Sequence, residues 1–135
     1  MLWRFKAIAS AILTGILYVL GGLDVSLKTL LIVIVMDILT GLLKAAYNGE
    51  LDSETGLKGI IKKVALLVLV AVAHSIDTVA GNTGMIRTLV IYYLVSNEGL
   101  SILENLGALG VPIPEFLKDK LSQLKEGNDN GVQGN

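Results

Sequence analysis

The sequence predicts an all-α, polytopic transmembrane helical bundle, with four short spanning helices and a short amphipathic C-terminal helix. Three observations carry that prediction. Of the 135 residues, 53% are apolar and 17% charged, too little polar surface to coat a soluble core of this size. The apolar residues fall into four runs bounded by charges, each near the length that crosses a hydrocarbon layer of about 30 Å. The basic residues gather in alternate connections, as the positive-inside rule prefers.

The same composition excludes several classes of function. There is no cysteine, hence no disulfide framework and no thiol nucleophile. With a single histidine beside that absence, neither a metal site nor any other cofactor is expected. A net charge of −1 supplies no field for nucleic acid. The chain has room for one compact unit, not for separate membrane and catalytic domains, so an enzyme is not expected.

The first run, Ala7 to Leu23, makes a helix of roughly 25 Å at about 1.5 Å per residue. Trp3 and Phe5 beside Arg4 and Lys6 suit an interfacial anchor at its start. A cleavable signal peptide has the same features, but three further apolar runs would still leave a membrane protein. The second run, Thr29 to Leu43, carries Asp37 near its middle. The third, Val64 to Ile86, is apolar to Ala73 and then admits His74, Ser75 and Asp77. The fourth, Thr88 to Leu109, turns amphipathic at Asn97, Glu98, Ser101, Glu104 and Asn105. Its acids are costly in lipid, so an interfacial helix is the alternative reading there.

Connections follow from turn chemistry. Asn48-Gly49 and Gly81-Asn82-Thr83-Gly84 read as turns, and Ser53 suits a helix cap that leads Lys58, Lys62 and Lys63 toward the third span. Long lysine stems there can snorkel along the membrane edge. Gly110-Val-Pro-Ile-Pro ends the fourth helix, and Pro114 suits the first position of a short one on which Leu117, Leu121 and Leu124 share a face. Residues 1–126 form the membrane domain, and 127–135 a polar tail expected to be disordered. Four spans with both termini in the cytoplasm place nine of the eleven basic residues inside, leaving Lys28 and Arg87 outside.

Polar residues at membrane depth are the functional candidates. Asp37, Thr40, Gly41 and Lys44 form one helical stripe, suited to helix contact or to facing water. His74 and Asp77 lie one turn apart, where a hydrogen-bonded pair within the bundle is the plainer reading and a catalytic pair lacks a nucleophile in reach. Tyr93, Asn97, Ser101 and Asn105 recur every four residues, flanked by Glu98 and Glu104, as a pore wall would, or as a helix lying half in the headgroups would. Ala7, Ala11 and Gly15 make a small-residue ladder of the kind found in any membrane bundle.

A family pattern runs through these residues. Asp37-Ile-Leu-Thr-Gly41 is followed by Gly49-x-Leu51-x-Ser53-x-x-Gly56-x-x-Gly59-x-x-Lys62-Lys63, then Asp77, Arg87, Asn97-Glu98-x-x-Ser101-x-x-Glu104-Asn105 and Gly110-x-Pro112-x-Pro114. Over residues 30–124 the chain resembles the toxin secretion/phage lysis holin family of Gram-positive bacteria and their phages. The resemblance implies a protein that accumulates in the host cytoplasmic membrane and assembles as a homo-oligomer into large lesions. These collapse the membrane potential and release an endolysin, the functional partner. Some relatives in clostridia are implicated in toxin export. The tail departs from the strongly basic end common among holins, since Lys118, Lys120 and Lys125 are mixed with acids. Two other functions fit the bare composition: a small transporter or ion-channel subunit, and a membrane subunit that makes no hole.

Overall fold

The computed structural model describes residues 1–81 and 83–133, with side chains through Glu126. The described residues form five α-helices and no strand: α1 (Leu2–Val19), α2 (Val25–Tyr47), α3 (Ser53–Val79), α4 (Met85–Ala108) and α5 (Glu115–Gln133). The tail expected at 127–135 lies outside the described residues in all its side chains and, at 134–135, altogether. Asn82 of the expected turn also lies outside them.

Local chemistry sets the boundaries. Asp24 caps α2 by accepting from Leu27 N–H at 2.9 Å. Asp52, not the expected Ser53, caps α3, accepting from the backbone of Glu54 and Thr55; its carboxylate reaches two of the amides that the helix leaves without a partner. α1 closes in a Schellman turn, with Gly22 N–H on Leu17 O and Gly21 N–H on Tyr18 O. That turn holds Gly21 at φ +92°, where an L side chain is strained.

α4 is the centre of the bundle, packing against α2, α3 and α5, whereas α1 touches α3 alone among the helices. α4 runs beside α2 in the same direction: Arg87 meets Asp24 at one end, and Asn105 meets Asp37 and Thr40 toward the other. α3 returns antiparallel, with Asp77 at the Arg87 end and Lys63 beside Asp37. Between these polar levels lies an apolar layer of Leu20, Leu27, Leu30, Ile34, Val70, Ile91 and Leu94. α1 buries no residue. Its Ile8, Ile12 and Ile16 stay exposed, a surface for lipid or another protein.

The expectation of four apolar spans needs correction. Three helices, α1, α2 and α3, are long and apolar enough to cross a membrane; α4 is not. Arg87, Asn97, Glu98, Glu104 and Asn105 all lie on α4, and each charge at the centre of a bilayer costs about 2.5–3.5 kcal/mol on insertion scales. The structure resolves the difficulty by turning Arg87 and Glu98 inward, where both are buried. Hydroxyls of Thr29, Thr40 and Ser96 donate to the carbonyl four residues back at 2.8, 2.9 and 2.7 Å. Among the described residues no buried side-chain nitrogen or oxygen lacks a partner, as a membrane interior demands.

Ile91 is fully buried in the apolar layer, while Ile12 is 59% exposed on α1. Ile91→Ala should lower unfolding stability in detergent by about 2–5 kcal/mol, and Ile12→Ala should leave it within experimental error. Denaturation of the two variants side by side measures the difference.

Candidate functional site

Two polar clusters hold the helices together, and they contain most of the residues singled out in the sequence. The first is built on Lys63. From α3, its Nζ contacts Asp37 Oδ2 on α2 at 2.5 Å and Glu98 Oε2 on α4 at 2.6 Å. The side chains of Asp37 and Glu98 are only 7% and 3% exposed, and that of Lys63 20%. Asn105 on α4 donates to the other Asp37 oxygen at 3.1 Å and to Thr40 Oγ1 at 3.0 Å. One ammonium thus joins three helices, and one carboxamide secures the acid that the ammonium leaves half-satisfied. Charges this close and this far buried are stabilising only as a complete set.

A groove of about 340 Å³ leads to this cluster from the α2–α3 connection, past Glu50, Asp52, Gly59, Gly41 and Ser101. Gly56 and Gly59 face open space on α3, so nothing fills that side. The Lys63 cluster is closed toward the apolar layer and open toward the connection.

The second cluster lies at the other end. Arg87 on α4 donates through Nε to Leu20 O at 2.7 Å, through one terminal nitrogen to Asp24 Oδ2 at 2.7 Å, and through the other to Gly22 O at 2.9 Å. Asp77 on α3 accepts from the backbone N–H of Ile86 at 3.0 Å and of Arg87 at 2.8 Å. It caps the next helix, satisfying amides that α4 cannot bond itself, rather than pairing with His74. The imidazole of His74 is close by, since a Cβ on Gly21 would lie 2.8 Å from its Nδ1 and 2.6 Å from Arg87 Nε. Asp24 caps α2 outside the apolar spans, and hydrogen bonding from Arg87 holds its carboxyl well below the usual carboxylate range.

Among the remaining candidates, Gly41 and Ser101 line the groove. Lys44 occupies the last turn of α2, favourable to the helix dipole. Asn97 accepts from Lys125 on α5 at 3.3 Å. Glu104 is exposed in the crevice between α4 and α5, beside Lys118. Three participants escaped the sequence reading: Lys63 as an ion-pair partner, Asp24 and Lys125. A signal for the first existed. Lys63, Val70, Ala73 and Asp77 recur on one face of α3, and Lys62 does not share it.

Residues 14–126 match the model of the bacteriophage holin family. A protein of Bacillus phage phi105 named "Probable holin" is 36% identical over 103 residues, 76% of this chain and 76% of that one. An uncharacterized protein of Clostridium perfringens is 47% identical over 113 residues, 83% of this chain and 84% of the relative. One of Listeria monocytogenes is 44% identical over 114 residues, 83% and 81% respectively. No solved structure matches the chain.

Lys63→Met leaves two buried acids without their cation and should destabilise the bundle by about 3–5 kcal/mol, read as a lowered unfolding midpoint in detergent. For Asp24 the sign follows from its lowered pKa. The stabilisation is present above the usual value of 3.8 and is lost as pH falls toward the depressed one. The stability gap between the native chain and Asp24→Asn should stay constant from pH 7 to about pH 5 and shrink in stronger acid, which melting curves across that range will record.

Proposed function

The chain belongs to the bacteriophage holin family, and on that premise we propose that it is the pore-forming, lysis-timing component of a phage lysis system. Family membership and three apolar helices make it a multi-pass membrane protein; the membrane in this reading is the host cytoplasmic membrane. The end bearing Arg4, Lys6, Lys44, Lys58 and Lys62 faces the cytoplasm, and the Asp24–Arg87–Asp77 end faces outward, as the distribution of basic residues favours. α4 accompanies α2 across the layer as a protein-shielded helix, so the C-terminal end of α4 lies on the same side as the N-terminus of the chain.

The observation that carries the reading is the Lys63 cluster. Within one protomer Lys63 neutralises Asp37 and Glu98, so a single copy has its membrane-buried acids already satisfied. Such a copy is a sealed form that accumulates without harm. Copies that associate exchange these internal partners for water and for one another, and association gains with concentration by mass action. A threshold follows, and with it a clock. The resulting lesion releases endolysin. Holins act by opening the membrane rather than by chemistry, which accords with the absence of a catalytic arrangement in the sequence.

Induction in bacteria tests this. Membrane potential should hold steady and then collapse abruptly, and a co-expressed endolysin should reach the wall only afterwards. A selective carrier would leave the potential intact, and a subunit that makes no hole would be harmless at any level. Asp37→Leu and Glu98→Leu should each shift the time of collapse at equal expression; unchanged timing in both sinks the role assigned to the Lys63 cluster.

A further inference from the structure

α5 does not lie beside the bundle as an independent surface helix; it folds back along α4. Ile113 reaches Gly107, and Leu121 packs so closely on Gly99 that a Cβ there would lie 3.1 Å from both leucine methyls. Lys125 donates to Asn97 Oδ1 at 3.3 Å and covers the Tyr93 ring at 5.6 Å from its centroid. Gly99 and Tyr93 lie roughly 18 Å and 9 Å along α4 from Arg87, at about 1.5 Å per residue. Both positions fall within the layer that α2 crosses beside α4, so α5 enters that layer too.

The outer surface of α5 does not suit lipid. Asp119, Lys120 and Glu126 are all exposed on it, and charged groups at membrane depth must meet protein or water. α4 has little polar surface left to offer at this depth. Glu98 is held by Lys63, Asn105 by Asp37 and Thr40, and Asn97 by Lys125. On another side of the molecule, α1 presents an unburied apolar surface and touches neither α4 nor α5.

We infer that α5, rather than the polar stripe of α4, is the wall of the conduit: in the assembly, the outer face of α5 from each copy borders the water that the copies enclose, and α1 is turned to lipid. This assignment rests on the pore-forming reading above. The wall carries Glu115, Asp119, Lys120 and Glu126, all exposed, while Lys125 is turned to Asn97 and Tyr93 of α4. Charges of both signs line it, as a water-filled passage at membrane depth requires.

The natural chain has no cysteine, so single reporters can be placed in the full-length protein, purified and reconstituted into liposomes that hold an entrapped dye. A nitroxide on Lys120→Cys should collide with a water-soluble nickel chelate about tenfold or more often than one on Ile12→Cys, which should instead favour oxygen. A Gly99→Cys/Leu121→Cys pair should be joined within one protomer by a short bis-thiol reagent in the same leaking liposomes. Leakage with both results supports the wall. Leakage with a lipid-immersed label at position 120, or with a pair that never joins, overturns the assignment of α5 while sparing the pore. Liposomes that never leak overturn the pore-forming reading and this one with it.

Discussion

In this bundle a single ammonium group decides where three helices sit. Lipid offers no hydrogen bonds, so a polar side chain that enters must find its partner in the protein. Asp37 comes from α2 and Glu98 from α4, and neither is tolerable alone; Lys63 of α3 answers both. α2 and α3 make few direct contacts, and α3 is positioned mainly through α4 and this shared cation. Removing the requirement for satisfaction would leave an apolar layer of Leu27, Leu30, Val70 and Ile91 with little to choose between alternative registers. Packing provides cohesion in the middle, and ionic groups on either side of that layer provide the register.

Much of this could be read from residue order, because charges bracket the apolar runs and because stripes such as Asp37, Thr40 and Gly41 obey helical spacing. Asp37 and Thr40 do meet Asn105, and Glu98 does turn inward. What escaped notice has physical causes. Lys63 stands beside Lys62 at the edge of a run, where any lysine looks like one that snorkels; only the partner across the bundle distinguishes them. The acceptors of Arg87 include the carbonyls of Leu20 and Gly22, and a backbone carbonyl leaves no mark in a sequence. Asp77 serves the helix after its own, so its polar neighbour one turn back, His74, was misleading. α4 illustrates a broader limit: hydropathy scores what a residue is, whereas membranes respond to whether its polar atoms are already occupied.

The turn between α1 and α2 has a consequence of a different kind. Arg87 grips it by two main-chain oxygens and by both oxygens of the Asp24 carboxylate. The identities of Leu20 and Leu23 hardly enter that grip, and Gly21 is constrained by φ and by the proximity of the guanidinium. Loop length is what the arginine measures. Gaining or losing one residue between Leu20 and Asp24 would rotate both carbonyls away together, a fault that no change of side chain elsewhere could mend.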